Sequence, residues 1–329
     1  MTRFIKDYPF VPVMLFMALV FGVLSPTFLD PGNLTNVLKQ ASLLGFVALG
    51  MCFVLIGGGL DLSVGSIVAL SSVLIAGLSA TLPPIVGIHV ALLAGTMIGV
   101  ANGYFVTAFN FQPIIVTLST MAIVRGIAMA YSDSRPIFGT LPDELFLLAD
   151  GVILGLPVPA ILFFLACAIS AFFLRYTVLG RQIYQVGGNE EAARLAGINI
   201  ARVKIFTYAI SGFLSSFAGL LLVARMQSGE AVRTGIGWEL DAIAAAAIGG
   251  VSLMGGIGTV AGTLCGALII GMMANAFNLL GINPYWQRIV IGIVLAIAVA
   301  SYSSGYLRQL AKRLRPFKSV RKSTSKVKI

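Results

Sequence analysis

Between Gln40 and Val124 the chain carries one formal charge, the carboxylate of Asp61, with His89 taken as neutral. No water-facing domain surface can be made from such a stretch. Soluble domains carry about 25% charged residues, whereas this chain has 10%, against 58% hydrophobic residues. Lipid is therefore part of its solvent, and in lipid a backbone must satisfy its own polar groups. The apolar runs are long and do not alternate, which selects helices. The predicted fold class is all-α, a polytopic membrane protein.

A helix needs about 20 apolar residues to cross the hydrocarbon core. Runs of that kind, divided at turn residues, predict about ten spans: 9–29, 41–59, 62–82, 84–109, 113–131, 152–174, 203–224, 240–256, 260–281 and 286–304. Pro83-Pro84 and the stretch from Asn110 to Pro113 break helices, because proline lacks a donor and restricts the residue before it. The first run has no small-residue cleavage pattern at its end and reads as a retained span. At Gly249 to Gly258 a tight turn and a re-entrant segment are both open. The whole chain, 1–329, reads as one transmembrane domain.

Ten spans put both termini on one side, and the charges agree. With the termini cytoplasmic, loop 175–204 is also inside, carrying Arg175, Arg181, Arg194, Arg202 and Lys204 against Glu190 and Glu191. Loop 132–151 falls outside, with Asp133, Asp143, Glu144 and Asp150 against Arg135. Basic loops belong on the cytoplasmic face. The tail 305–329 holds nine Lys or Arg and no acid, which supplies most of the net charge of +10. Beside a span this is the same bias, and nucleic acid is not an expected partner.

Cys52, Cys167 and Cys265 lie in apolar runs without metal-ligand spacing and read as small buried hydrophobes. Gly95, Gly99 and Gly103, and then Gly258, Gly262 and Gly266, are spaced four apart, which lets helix backbones approach closely. Packing within the chain is expected over a dimer seam. A weak internal echo relates Gly58-Gly-Leu-Asp-Leu-Ser-Val-Gly65 to Gly249-Gly-Val-Ser-Leu-Met-Gly-Gly256, with duplication and chance both open.

The long polar insert contains a short helix with clear ends. Asn189 is a good N-cap, and Glu190 and Glu191 fill the first turn, where the helix dipole favours acids. Ala192, Ala193 and Leu195 are strong helix formers. Arg194 stands near the C-terminus, and Gly197 is placed for a left-handed stop. Two turns are too few to be stable alone. The helix must lean on its own spans or on a partner that grips it.

Glu191-Ala-Ala-Arg-Leu-Ala-Gly197 has the E-A-A-x-x-x-G form of the coupling helix of ABC importer permeases, which it resembles. GGGLDLSVGS, at 57–66, is similar to the ribose-type monosaccharide branch of that family. So are Gly180-Arg-Gln-Ile-Tyr with Gly187-Gly-Asn-Glu, and Glu239-Leu-Asp-Ala-Ile-Ala with Gly249-Gly-Val-Ser-Leu-Met-Gly-Gly. The similarity runs from about residue 20 to 305. It implies the ABC importer permease fold in a bacterial inner membrane. It also implies a separate cytoplasmic ABC ATPase, an extracytoplasmic sugar-binding protein and a second permease copy or paralogue. The sugar implied is a pentose such as ribose, with hexoses and polyols open. One departure is that Ile198 to Leu222 has no proline, where the wider motif often carries a hydrophobic-proline step.

The residues fit a subunit that borrows its energy. There is no G-x-x-x-x-G-K-[ST] loop, so ATP-Mg belongs on the partner, and no cofactor is expected on this chain. One histidine, with neither H-E-x-x-H nor G-x-S-x-G, leaves no catalytic set. Asp61 or Ser63 is expected to cap the span that follows, with a gate beside the ATPase as the alternative. Arg125 is either an anchor or ion-pair partner, or part of the path. Asn102, Asn275 and Asn278 either bond between helices or line a hydrated path. Glu239 and Asp241 suit a helix N-terminus. The competing reading is an ion-gradient-driven secondary transporter, which would place acids or broken helices at mid-depth.

Overall fold

Proline sets several of the helix starts, its fixed φ and missing N–H suiting the first turn. The computed structural model describes residues 10–138, 141–283 and 285–297. Its helices are α1 (Phe10–Leu24), α2 (Pro31–Ile56), α3 (Val64–Leu78), α4 (Pro84–Ala108), α5 (Pro113–Tyr131), α6 (Asp143–Asp150) and α7 (Val158–Tyr176). They continue with α8 (Val178–Gly188), α9 (Glu190–Leu195), α10 (Ile200–Met226), α11 (Trp238–Ile248), α12 (Val260–Leu279) and α13 (Tyr285–Ile297). Six of these, α2, α4, α5, α7, α10 and α12, are long and apolar enough to cross a membrane. The result is an all-α, multi-pass membrane protein.

The interior is built on α2, whose residues from Ala41 to Ile56 are all buried. Around it pack α7, α10, α11 and α12, with α4 and α5 towards the outside. The seam between α4 and α10 is tight because Gly95 and Gly99 face Gly212, while Gly103 faces Ile205. Gly262 and Gly266 likewise lie against Gly249 and Ala245. The fourfold glycine spacing thus serves packing within the chain. All three cysteines are free and buried.

Several expected bounds change. Helix α2 begins ten residues before the expected 41, because its polar start is paired within the fold. Lys39 is buried and salt-bridged to Asp150 of α6. Asn33 exchanges two amide hydrogen bonds of 2.9 Å with Asn275 of α12. Residues 152–157 are a two-strand hairpin, Val152–Ile153 against Leu156–Pro157, rather than the start of a span. The first run breaks at Ser25, followed by a 3-10 turn at Pro26–Leu29. Residues 298–304 of the expected last span, and the tail 305–329, lie outside the described residues.

The expected spans 62–82 and 240–256 are half-helices. Helix α3 has 15 residues, about 22 Å, and α11 has 11 residues, about 16 Å; the hydrocarbon core is about 30 Å. Each continues a non-helical approach segment. Residues 57–63 rise from the end of the bundle that carries α9. Residues 228–237 descend from the opposite end, beginning as a strand, Ser228–Gly229, paired with Ile137–Phe138. The descending segment runs along α3, from Ala76 beside Gly229 to Gly65 beside Gly235. There the two backbones cross. A Cβ on Gly65 would collide with the Gly235 carbonyl and meet Glu239 Oε2 at 2.8 Å.

The two echo segments end their helices in the same way. Gly58 N and Gly59 N donate to Leu55 O and Val54 O, both at 2.9 Å, while Gly250 N and Val251 N donate to Ala247 O and Ala246 O, also at 2.9 Å. Gly58 and Gly250 take φ of +75° and +81°, which glycine adopts without steric cost. The matching cap pairs Gly58 with Gly250, one residue away from the register that the sequence alone suggests.

Candidate functional site

Helix α9 has the ends that its residues dictate. Asn189, in extended conformation, accepts the Ala192 amide on Oδ1 at 2.9 Å. At the other end Gly197 adopts φ +79°, and Ile198 N donates to Ala193 O at 3.0 Å. Of the expected coupling residues, Ala193 is buried against the bundle, and Glu190 turns back to Lys204 at 2.5 Å and Arg194 at 3.5 Å. Asn189, Glu191, Ala192 and Leu195 face outward, and Leu195 is 85% exposed. Beneath the helix lies a cleft of about 230 Å³ walled by Val106, Asn110, Arg194 and Lys204.

Preceding α9, α8 is capped by Thr177, whose Oγ1 accepts the Gly180 amide at 3.0 Å. It ends in a contact made almost wholly of backbone. Gly187 lies against Ile56 O and Gly256 N, and Gly255 against Gly58 and Gly187. Gly256 N donates to Ile56 O at 2.9 Å. Tyr184 fastens the same corner by donating to Gly258 O at 2.9 Å. Burial above all pushes its phenol up to about 12, so it remains a neutral donor. The end of α8, one residue before the cap of α9, is thus joined directly to both glycine-rich helix ends.

Asp61 sits above this corner and is fully buried. Its Oδ1 accepts the Ser63 amide at 3.0 Å and the Ser63 hydroxyl at 2.6 Å; its Oδ2 accepts the Ser211 hydroxyl at 2.8 Å. Ser63 in turn accepts from Asn102 Nδ2 at 2.9 Å, and Thr120 donates to Asn102 Oδ1 at 2.7 Å. Ser211 stands eleven residues into α10, roughly 16 Å from its start. Asp61 therefore lies deep in the bundle and not in a surface turn. The expected helix cap is corrected as well. Ser63 occupies the N-cap position of α3 without a side-chain cap bond, since its hydroxyl is engaged by Asp61 and Asn102. The Asp61 carboxylate ties the start of α3 to α10, and the Ser63 hydroxyl and the Asn102 amide extend the network to α4 and α5.

A family model described as branched-chain amino acid transport system / permease component matches residues 33–299. The chain belongs to this family of transport permeases. The ribose import permease protein of Haemophilus influenzae is 43% identical over 90% of this chain and 92% of its own length. That of Bacillus subtilis is 43% identical over 88% and 90%. The L-arabinose transport system permease protein of Escherichia coli is 38% identical over 90% of each chain. No solved structure matches. The permease is thus a transport subunit and not an enzyme.

The remaining polar candidates of the permease divide by their contacts. Arg125 Nη1 donates to Ala231 O at 2.7 Å and Thr234 O at 2.6 Å, fastening the descending segment to α5. Asn102 is fully buried and bonded on both sides of its amide, so it joins helices. Asn275 does the same through Asn33, whereas Asn278 is exposed in the last turn of α12. A double-mutant cycle on Asn33→Ala and Asn275→Ala, read by detergent thermal unfolding, is expected to give a coupling of about 0.6–1.7 kcal/mol.

Sequence reasoning missed Lys39 and Asn33, both polar enough to be left outside a span. It also placed Glu239 and Asp241 as simple N-terminal acids. They do open α11, but beside Arg288 of α13 and at the backbone crossing. The signal lay in the acids and Arg288 flanking the same apolar region, although nothing in the spacing brings them together.

Proposed function

We propose that the chain is the membrane subunit of an ATP-binding cassette importer for a pentose, with ribose first. It spans a bacterial inner membrane ten times with both termini cytoplasmic. The observation that carries this reading is α9: a capped two-turn helix, anchored by Ala193 and Glu190, presenting Glu191, Ala192 and Leu195 to a partner. Names of relatives support the sugar, since two ribose import permeases match over nearly the whole chain. The ten crossings are α1, α2, residues 57–78, α4, α5, α7, α10, residues 228–248, α12 and α13.

Residues 175–204 form the cytoplasmic coupling loop, and ATP-Mg resides on the ATPase. A sugar delivered by an extracytoplasmic binding protein passes through a pore made with a second permease copy or a paralogue. Closure of the ATPase moves α9, and the backbone corner at Gly187 passes that movement to the segment bearing Asp61.

Leu195→Asp and Glu191→Arg are expected to leave the permease monodisperse, because both side chains point outward, and to reduce ATPase co-purification at least tenfold. ATP-dependent uptake in proteoliposomes should fall in parallel. The half-helices lend weight to a second reading, since ion-driven carriers also use discontinuous helices. Uptake that runs without the ATPase and collapses with an ionophore would select that reading instead.

A further inference from the structure

Asp241 and Arg288 line an open cavity of about 320 Å³ between the start of α11, with the segment before it, and α13. Its walls include Trp238 and Asp241 on one side, and Gln287, Arg288, Ile291 and Gly292 on the other. This is the size at which small-ligand sites begin. It lies beside the point where Gly235 crosses Gly65, so the two half-helices meet next to it.

The lining is chemically selective. Asp241 and Gln287 supply hydrogen-bond acceptors, and Gln287 and Arg288 supply donors. Trp238 supplies a broad apolar face with a polar edge, and Gly292 leaves space where a side chain would stand. Asp241 and Arg288 bring opposite charges, so neither an anion nor a cation is favoured by net charge. A small, neutral, hydroxyl-rich molecule with an apolar face suits every wall. The other candidates do not. The Asp61 cluster is fully buried and its hydroxyls are engaged, and the cleft lined by Phe53, Phe173, Phe206 and Phe213 is almost wholly apolar.

We propose that this cavity is a sugar-binding station on the permease itself, in which Asp241, Gln287 and Arg288 hydrogen-bond the hydroxyls of a pentose and Trp238 packs against its carbon face. Recognition is then shared between the external binding protein and the membrane subunit. The station rests on the importer reading, and it lies beside the closed backbone crossing of the two half-helices.

The test uses the complete transporter in proteoliposomes, with its ATPase and binding protein, measuring tritiated D-ribose imported per ATP hydrolysed. Asp241→Ala and Gln287→Ala, which remove the hydrogen-bonding groups, and Trp238→Ala, which removes the packing face, are compared with the native complex. Each lost hydrogen bond is expected to lower ribose per ATP about fivefold to tenfold, with binding-protein-stimulated hydrolysis held within twofold. A deoxypentose lacking one hydroxyl should lose less in Gln287→Ala than ribose does, because a site built for a hydroxyl is penalised when that group is missing. Unchanged ribose per ATP in all three variants overturns the station. So does hydrolysis that falls in step with uptake, which marks a structural role. Failure of the importer reading is separate: the native complex itself would then show no ATP-dependent uptake.

Discussion

Gly235→Val is expected to abolish uptake and to lower the yield of monodisperse protein sharply. Gly235 takes φ +70°, and a β-branched residue there is a true outlier, costing about 1–2 kcal/mol. Its Cβ would also strike the Gly65 backbone, with Gly65 Cα at 3.1 Å, and overpacking of that kind adds about 1–3 kcal/mol. Together these approach a large share of a total stability of about 5–15 kcal/mol. Gly155→Val separates the two effects. It has φ +80° with nothing near its Cβ, so only the strain is paid. Thermal unfolding in detergent should show a much smaller fall for Gly155→Val. Equal falls would mean that the crossing is not tight.

Asp61→Ala should cost about 3 kcal/mol and stop transport, whereas Asp61→Asn should cost about 1 kcal/mol. Alanine leaves the Ser63 amide, the Ser63 hydroxyl and the Ser211 hydroxyl without an acceptor, and each buried orphan costs about 1–3 kcal/mol. Part of that is offset because a buried charge no longer has to be desolvated. Asparagine keeps one acceptor oxygen for Ser63 and offers an N–H to Ser211, whose hydroxyl can rotate to accept. The measurements are unfolding temperature and uptake for both variants. If Asp61→Asn unfolds as readily as Asp61→Ala, charge rather than hydrogen bonding holds the four helices together.

Where the sequence succeeded, local chemistry decided the structure. The start of α5 at Pro113, the stop of α9 at Gly197 and its cap at Asn189 each follow from one residue's stereochemistry, and the fold leaves them unchanged. Where it fell short, tertiary partners decided. Lys39 and Asn33 fell outside the expected span 41–59, yet Asp150 pairs with Lys39 and Asn275 hydrogen-bonds Asn33, so the helix starts before both. Asp61 read as a surface cap because hydropathy registers helices and is blind to an extended segment that climbs into the bundle. The run 240–256 is apolar enough for a helix throughout, but the left-handed Gly250 ends it after Ile248. In the same way, the cavity beside α11 joins residues some fifty positions apart, a pairing that no periodicity records.

The corner where Gly187 meets Ile56, Gly58, Gly255 and Gly256 has a mechanical meaning. Side chains can absorb a push by changing rotamer, but main chain resting on main chain has no such play. A displacement of α8 therefore arrives at both inner helix ends undamped, like motion through a gear train without backlash. On the importer reading proposed above, a short stroke by an outside motor is then enough, and even one methyl group inserted at that corner would waste it.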